Sequence, residues 1–155
     1  MIDDIDRKIL SILLSDASTS KAEIARRTGL AASVVSERIR RLEADGVICG
    51  YEVRLETKAL GKPLLAFVFV TDAKPSRGFD TAHALSGVTG LEELHKIAGD
   101  DCYLLKVRAT DTDELNRIIE EEINPVQSVN RVRTTIVMRS VTERAPLVGH
   151  DLEAL

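Results

Sequence analysis

Tryptophan is absent, and aromatic side chains make up only 3% of the 155 residues. A hydrophobic core must therefore be assembled from Ile, Leu, Val and Ala. Cysteine is nearly absent: Cys49 and Cys102 lie far apart with no paired spacing, which excludes a disulfide scaffold, argues against a metal site and fits a reducing compartment. No apolar run approaches the ~20 residues that span a bilayer, so no membrane partner is expected. The N-terminal MIDDIDRKIL is acidic and lacks the basic-then-apolar order of a signal peptide, which predicts a cytoplasmic protein. Internal repeats and low-complexity tracts are missing too. His83, His95 and His150 show neither ligand spacing nor a partner triad. Glu92-Glu93 and Asp100-Asp101 are sequence neighbours, hence on opposite faces if extended. No catalytic constellation, cofactor or metal is expected, and the chain reads as a non-enzyme.

What is present is a soluble composition, 44% hydrophobic and 30% charged, long enough for one domain or two small ones. The organising stretch is Lys21 to Ile48, KAEIARRTGLAASVVSERIRRLEADGVI. Ser20-x-x-Glu23 has the pattern of a capping box. Thr28-Gly29 breaks the first helix, because glycine tolerates the left-handed conformation of a sharp turn. A second helix spans about Ala32 to Ala44, with Val35, Ile39 and Leu42 on one stripe and Ser33, Ser36, Glu37, Arg40 and Arg41 opposite. This is the pattern of a helix-turn-helix whose second helix can enter a major groove. Between Lys21 and Arg41 six basic residues face two acidic ones, a net of +4 on a chain of net −4. A local cationic surface on an acidic protein suits a phosphate backbone. A helical hairpin with solvated charges fits the same residues.

Before this motif, Asp3 or Asp4 can cap a helix carrying Ile5, Ile9, Ile12 and Leu13 on one face. After it, Val47 to Leu55 reads as a strand and Glu56 to Gly61 as a connection. The expected domains are residues 1–61 (helix-turn-helix with linking strand), 62–142 and a tail, 143–155. In the second, Leu64 to Val70 is a continuous apolar strand, with a loop from Asp72 to Gly78. A helix capped by Asp80 runs to about Leu85. Strands follow at Leu91 to Ala98 and Cys102 to Ala109, a helix from Asp111 to Ile123, and a strand from Val129 to Val141. The order β-α-β-β-α-β is ferredoxin-like, so the fold class is α+β. Its two helices cover one sheet face. The other, read as largely apolar, predicts a two-fold dimer of packed sheets.

Together, IDRKILSILLSDAS, AEIARRTGLAASVVSERIRRLEADGVI and GDDCYLLKV at Gly99 to Val107 resemble the leucine-responsive/asparagine regulator (Lrp/AsnC, feast/famine) family, from Asp3 to about Thr142. The resemblance implies a winged or tri-helical DNA-binding domain and a C-terminal domain that senses amino-acid-like ligands. It implies a transcription regulator that binds double-stranded DNA as a homodimer, with further assembly to tetramers or octamers. On it, Ser33, Val34, Ser36, Glu37 and Arg38 lie on the helix that enters the groove, and Arg40 and Arg41 where relatives approach phosphate; Arg38 fits equally a salt bridge back to its own domain. Lys21 joins them as a DNA-binding candidate. Gly99, Asp100, Asp101, Cys102 and Tyr103 border the effector site.

Two features depart from the family pattern. The recognition helix usually opens with Ser-Pro but here with Ala31-Ala32, which removes a capping hydroxyl worth about 1 kcal/mol unless Ser33 replaces it. Cys102 stands where many members carry Asp, so the effector turn is altered. Gly99 to Tyr103 also fits a tight strand connection with no ligand, and Cys102 fits either a small buried hydrophobe or a redox-sensitive thiol. Two other functions share this plan. One is a siroheme-type tetrapyrrole decarboxylase subunit, for which His83, His95, Lys96 and Arg108 are the available carboxylate-binding residues. The other is a weakly specific DNA-architectural protein using the same helix.

Overall fold

The computed structural model describes residues 2–73 and 79–143. The expected positions 74–78 of the Asp72 to Gly78 loop, the Asp80 side chain and residues 144–155 of the tail lie outside the described residues. The chain divides into two compact units, one formed by the residues up to Arg54 together with the chain from Thr142, the other Leu55–Val141.

Helix α1, Asp4–Ser15, starts from a reciprocal capping box. The Asp3 carboxylate accepts from the Asp6 backbone N–H at 2.8 Å, and the Asp6 carboxylate accepts from that of Asp3 at 3.1 Å. Helix α2, Lys21–Thr28, is capped by Ser20, whose hydroxyl accepts from the Glu23 N–H at 3.2 Å. Glu23 does not complete the expected box. Its carboxylate turns to Arg26 and Arg27, which bind it at 2.6 and 2.7 Å. Gly29 ends the helix at φ 72°, left-handed as the turn requires. Helix α3, Ala32–Ala44, buries Val35, Ile39 and Leu42 against Ile9, Leu10, Ile24 and Ala25. Ala31 occupies its N-cap with no side-chain hydrogen bond, and Ser33 does not take over.

The expected strand at Val47 to Leu55 does not form: this segment has no sheet pairing. A strand needs a neighbour for its backbone N–H and C=O groups, and among the described residues none pairs with it. Val53 is 81% exposed as a result. The Tyr51 hydroxyl ties the segment to α3 by donating to Glu43 at 2.9 Å.

In the second unit β1 (Leu64–Asp72), β2 (Leu91–Lys96), β3 (Tyr103–Ala109) and β4 (Val129–Ile136) form one antiparallel sheet in the order β2-β3-β1-β4. Helices α4 (Phe79–Leu85) and α5 (Thr112–Ile118) supply Leu85, Leu115 and Ile118 to a core with Ala66, Val68, Val70, Tyr103, Leu105 and Val107. This is the expected ferredoxin-like layer. Two expected elements end early: β2 stops at Lys96, and β4 at Ile136, although the Val137 N–H still reaches the Leu65 carbonyl at 2.9 Å. Beyond Ile118 the helix widens to a π-turn, Ile119–Ile123, closed by the Asn124 N–H on the Ile119 carbonyl at 2.8 Å. Gly90 is obligatory. Its φ is 71°, and a Cβ there would overlap the Arg108 carbonyl oxygen.

The uncovered sheet face differs from the apolar surface expected. Leu65, Phe67, Phe69 and Leu104 form its centre, but Arg131 and Arg133 flank them on β4 and Lys106 and Arg108 on β3. A register shift between Leu91 and Glu93 brings both Glu92 and Glu93 onto this face, overturning the alternation expected of them. Glu92 binds Arg108 at 2.9 Å, and Lys106 binds Glu92 and Glu93 at 3.1 and 3.3 Å.

Candidate nucleic-acid interface and effector turn

Helix α3 turns its Val35-Ile39-Leu42 stripe inward, so Ser33 and Glu37 fall on the far side at 3.6 residues per turn. Arg40 and Arg41 flank that line on opposite sides, one turn further on. Ser33, Val34, Glu37, Arg40 and Arg41 are exposed; Ser36 is half-buried and donates its hydroxyl to the Ala32 carbonyl at 2.8 Å, so it turns back on the helix. Lys21 is exposed at the start of α2 and, among the described residues, makes no ion pair.

The arginines are not a row of free cations. Arg40 binds Glu37 at 2.6 Å, and Arg26 and Arg27 share Glu23. Arg38 lies on the side of α3 nearest α1. It donates to Asp3 at 2.6 Å and to Asp6 at 2.8 Å, while Arg41 donates to the second Asp6 oxygen at 2.6 Å. Asp6 is fully buried, so this cluster bolts α1 to α3. Arg38 thereby works as a structural residue in the free protein. A guanidinium has five N–H donors, so Arg40 and Arg41 keep donors for a phosphate while paired. The Arg38 guanidinium holds the Asp3 carboxyl down at about 2, and the Arg26 and Arg27 guanidiniums do the same for Glu23. A salt bridge for Arg38 is one of the two readings the sequence offers, but its partners in the Asp6–Arg38–Arg41 cluster lie more than thirty residues apart and spacing does not identify them. The DxxD pattern at Asp3-Asp6 was the available signal.

The five candidate effector residues separate into two kinds. Gly99 (φ 134°) and Asp100 are exposed at the turn. Asp101 is already engaged: Arg133 binds its carboxylate at 2.8 Å and the Thr71 hydroxyl donates to it at 3.2 Å. The Arg133 hydrogen bond holds the Asp101 carboxyl below its ordinary range. Cys102 is half-buried, and its Sγ accepts from the Asp72 N–H at 3.4 Å. Tyr103 is a core residue, its phenol raised chiefly by burial. Beside it the buried Thr81 joins Asp72 and Ser128 through hydrogen bonds of 3.3 and 2.6 Å. Arg133 and Thr71 reach Asp101 through strand register, and Thr81 on α4 meets Asp72 and Ser128 through the packing of that helix on the sheet, neither of which residue spacing shows. Arg133 also stacks 3.9 Å from the Phe69 ring centroid.

The residues available to a tetrapyrrole decarboxylase do not converge. His95 binds Glu93 at 3.0 Å and Arg108 binds Glu92 on the open sheet face, whereas His83 is exposed on α4, across the sheet. No helix among the described residues is long and apolar enough to cross a membrane.

An exposed helix-turn-helix followed by a ferredoxin-like sheet defines a DNA-binding regulator with a separate sensory domain. Residues 2–48 match the winged helix-turn-helix DNA-binding family, and residues 65–147 match the Lrp/AsnC ligand binding domain. The HTH-type transcriptional regulator LrpA of Mycobacterium tuberculosis is 35% identical over 141 residues, 90% of this chain and 91% of its own. The leucine-responsive regulatory protein of Escherichia coli is 35% identical over 151 residues, 95% of this chain and 91% of its own. The feast or famine regulatory protein of M. tuberculosis complexed with L-methionine superposes with TM-score 0.81 at 35% identity, covering 92% of this chain and 96% of its own. The chain belongs to the Lrp/AsnC family of DNA-binding transcriptional regulators.

Proposed function

We propose that this regulator binds duplex DNA sequence-specifically through α3, acts as a homodimer in the cytoplasm and responds to an amino acid. The observation that carries the reading is the outward line of Ser33 and Glu37 on α3, flanked on both sides by Arg40 and Arg41. A helix that presents hydrogen-bonding side chains along its centre and cations at both margins matches a major groove bounded by two phosphate backbones. Lys21 adds a cation at the start of α2. The outer margin of Arg41 serves phosphate while its inner contact holds Asp6.

The dimer reading rests on the open sheet face, whose apolar centre has charged flanks of both signs. Two copies related by a two-fold axis can bury the first and pair the second. Tetramers or octamers would extend this unit. The amino-acid reading rests on the methionine complex of the M. tuberculosis relative and the name of the E. coli one. The exposed Asp100 at the Gly99 turn suits a ligand ammonium. Cys102 supplies no charge there, so Asp100 carries that role in this chain.

Footprinting on the gene's own upstream region, with and without each amino acid, tests the whole reading. Protection that one amino acid alters is expected; no protection at low salt on any upstream fragment overturns it. A specific-to-nonspecific affinity ratio near one would point instead to an architectural protein. Arg40→Ala is expected to weaken binding to all sequences alike and to lower the salt dependence by about one unit. An unchanged slope removes Arg40 from the phosphate contacts.

A further inference from the structure

We propose that α3 reads one thymine and one cytosine. Val34 packs against the C5-methyl of the thymine, and Glu37 accepts a hydrogen bond from the N4 amino group of the cytosine. The inference deepens the reading of α3 as the helix that meets DNA and rests on it.

Val34 is an apolar side chain left 42% exposed on the polar side of the helix. The core beneath is closed by Val35, Ile39 and Leu42 without it. Among groups displayed in the major groove the thymine methyl is the apolar one, so it is the partner that rewards an isopropyl group there. Glu37 lies opposite the buried stripe. Arg40 holds its Oε2 at 2.6 Å, leaving Oε1 to accept another donor. A carboxylate only accepts. Guanine shows N7 and O6 acceptors and thymine an O4 acceptor, and both repel it. Adenine offers N6 but sets the N7 acceptor beside it, against the second carboxylate oxygen. Cytosine presents its N4 donor with an acceptor, the paired guanine O6, on one side only and a C–H on the other, whereas adenine N6 has an acceptor on both sides. Arg40 also offsets the negative charge that Glu37 would bring between phosphates. Residues three apart on a helix are separated by about 4.5 Å along its axis. Base pairs are about 3.4 Å apart, so the two bases stand within one or two steps of each other.

The test is selection from random duplexes by the full-length protein, followed by affinity measurements on the enriched site. The wild type is expected to enrich a half-site with C and T within two steps. Replacing that T by uracil, which removes one methyl, should weaken the wild type about fourfold and penalise the shorter side chain of Val34→Ala clearly less. Since this change is made in the DNA, a folding defect cannot imitate it. Glu37→Gln should lose a preference of about tenfold at the C position and admit A, which glutamine pairs bidentately. A Glu37→Gln protein that enriches the same base everywhere, or a uracil penalty equal in Val34→Ala and wild type, overturns the inference and leaves the regulator standing. A wild type that enriches no sequence overturns both.

Discussion

In the N-terminal unit seven buried apolar side chains, from Ile9 to Leu42, form the core, and six arginines around it are each held by a carboxylate of the same unit. In the C-terminal unit twelve buried apolar residues are arranged around a continuous four-stranded sheet. Its ion pairs lie on the outside, as where Glu92 and Glu93 meet Lys106 and Arg108. The comparison separates two ways of stabilising a small fold. One relies mainly on apolar area; the other adds charge clusters that fix how helices pack when area is scarce. It also explains why the DNA-facing helix carries cations without self-repulsion, since each arrives with its counter-charge.

The largest test strikes the apolar half. Leu105 is fully buried in the sheet core. Leu105→Ala should cost about 3 kcal/mol by denaturant unfolding, through lost transfer energy and a residual cavity. Hydrogen exchange should localise the loss to sheet amides. A cost below about 1 kcal/mol would mean that area is not what holds this unit. Next comes the charge half. Asp6→Asn keeps the shape but removes the buried negative charge between Arg38 and Arg41, and should cost about 2 kcal/mol. The protected amides of α1 and α3 should exchange faster. If Asp6→Asn proves neutral, the cluster is incidental and the comparison fails on that side.

How much of this was legible beforehand follows the same division. Leu64 to Val70 announces a buried strand by composition, and Val35, Ile39 and Leu42 announce a helix by period, so the elements and their order could be read. Pairing across distance could not. The reach of Arg38 to Asp3 depends on the crossing of two helices, and the meeting of Arg133 with Asp101 on the register of β4. The bulge that turns Glu92 and Glu93 to one face is invisible to simple alternation. The resemblance places Tyr103 at the effector turn, yet strand alternation turns its side chain into the core. The missing strand at Val47 to Leu55 has the right residue types but no neighbour among the described residues to complete it.

Acid sharpens the comparison further. Asp3 and Glu23 in the first unit, and Glu114 in the second, are all held at about 2, by Arg38, by Arg26 and Arg27, and by Lys62 respectively. A carboxyl lowered in the folded state stabilises it fully above the unfolded value, here 3.8 to 4.5, and loses that contribution as pH falls towards 2. Thermal midpoints should therefore be flat above pH 5 and fall between about pH 4.5 and 2. Glu23→Gln should make that fall shallower. The Glu23 pairs, whose arginines reach furthest into solvent, should be the ones that added salt weakens most. A midpoint that falls instead between pH 5 and 7 would assign acid sensitivity to other groups.

The smallest expected change improves the protein. Ala31 has the extended backbone of an N-cap, φ −70° and ψ 143°, but no oxygen to offer the free N–H groups of the first turn of α3. A serine there needs no backbone change, and its hydroxyl can accept from the N–H of Ser33, since the Val34 N–H already donates to the Ala31 carbonyl at 3.0 Å. Ala31→Ser should therefore stabilise the N-terminal unit by about 1 kcal/mol, read as a higher denaturant midpoint with slower exchange in α3. The gain should persist in the Asp6→Asn background, because the cap and the cluster share no partner. Were it to vanish there, the frame of α3 would be set by Asp6 alone, and the N-terminal unit would depend on one buried carboxylate.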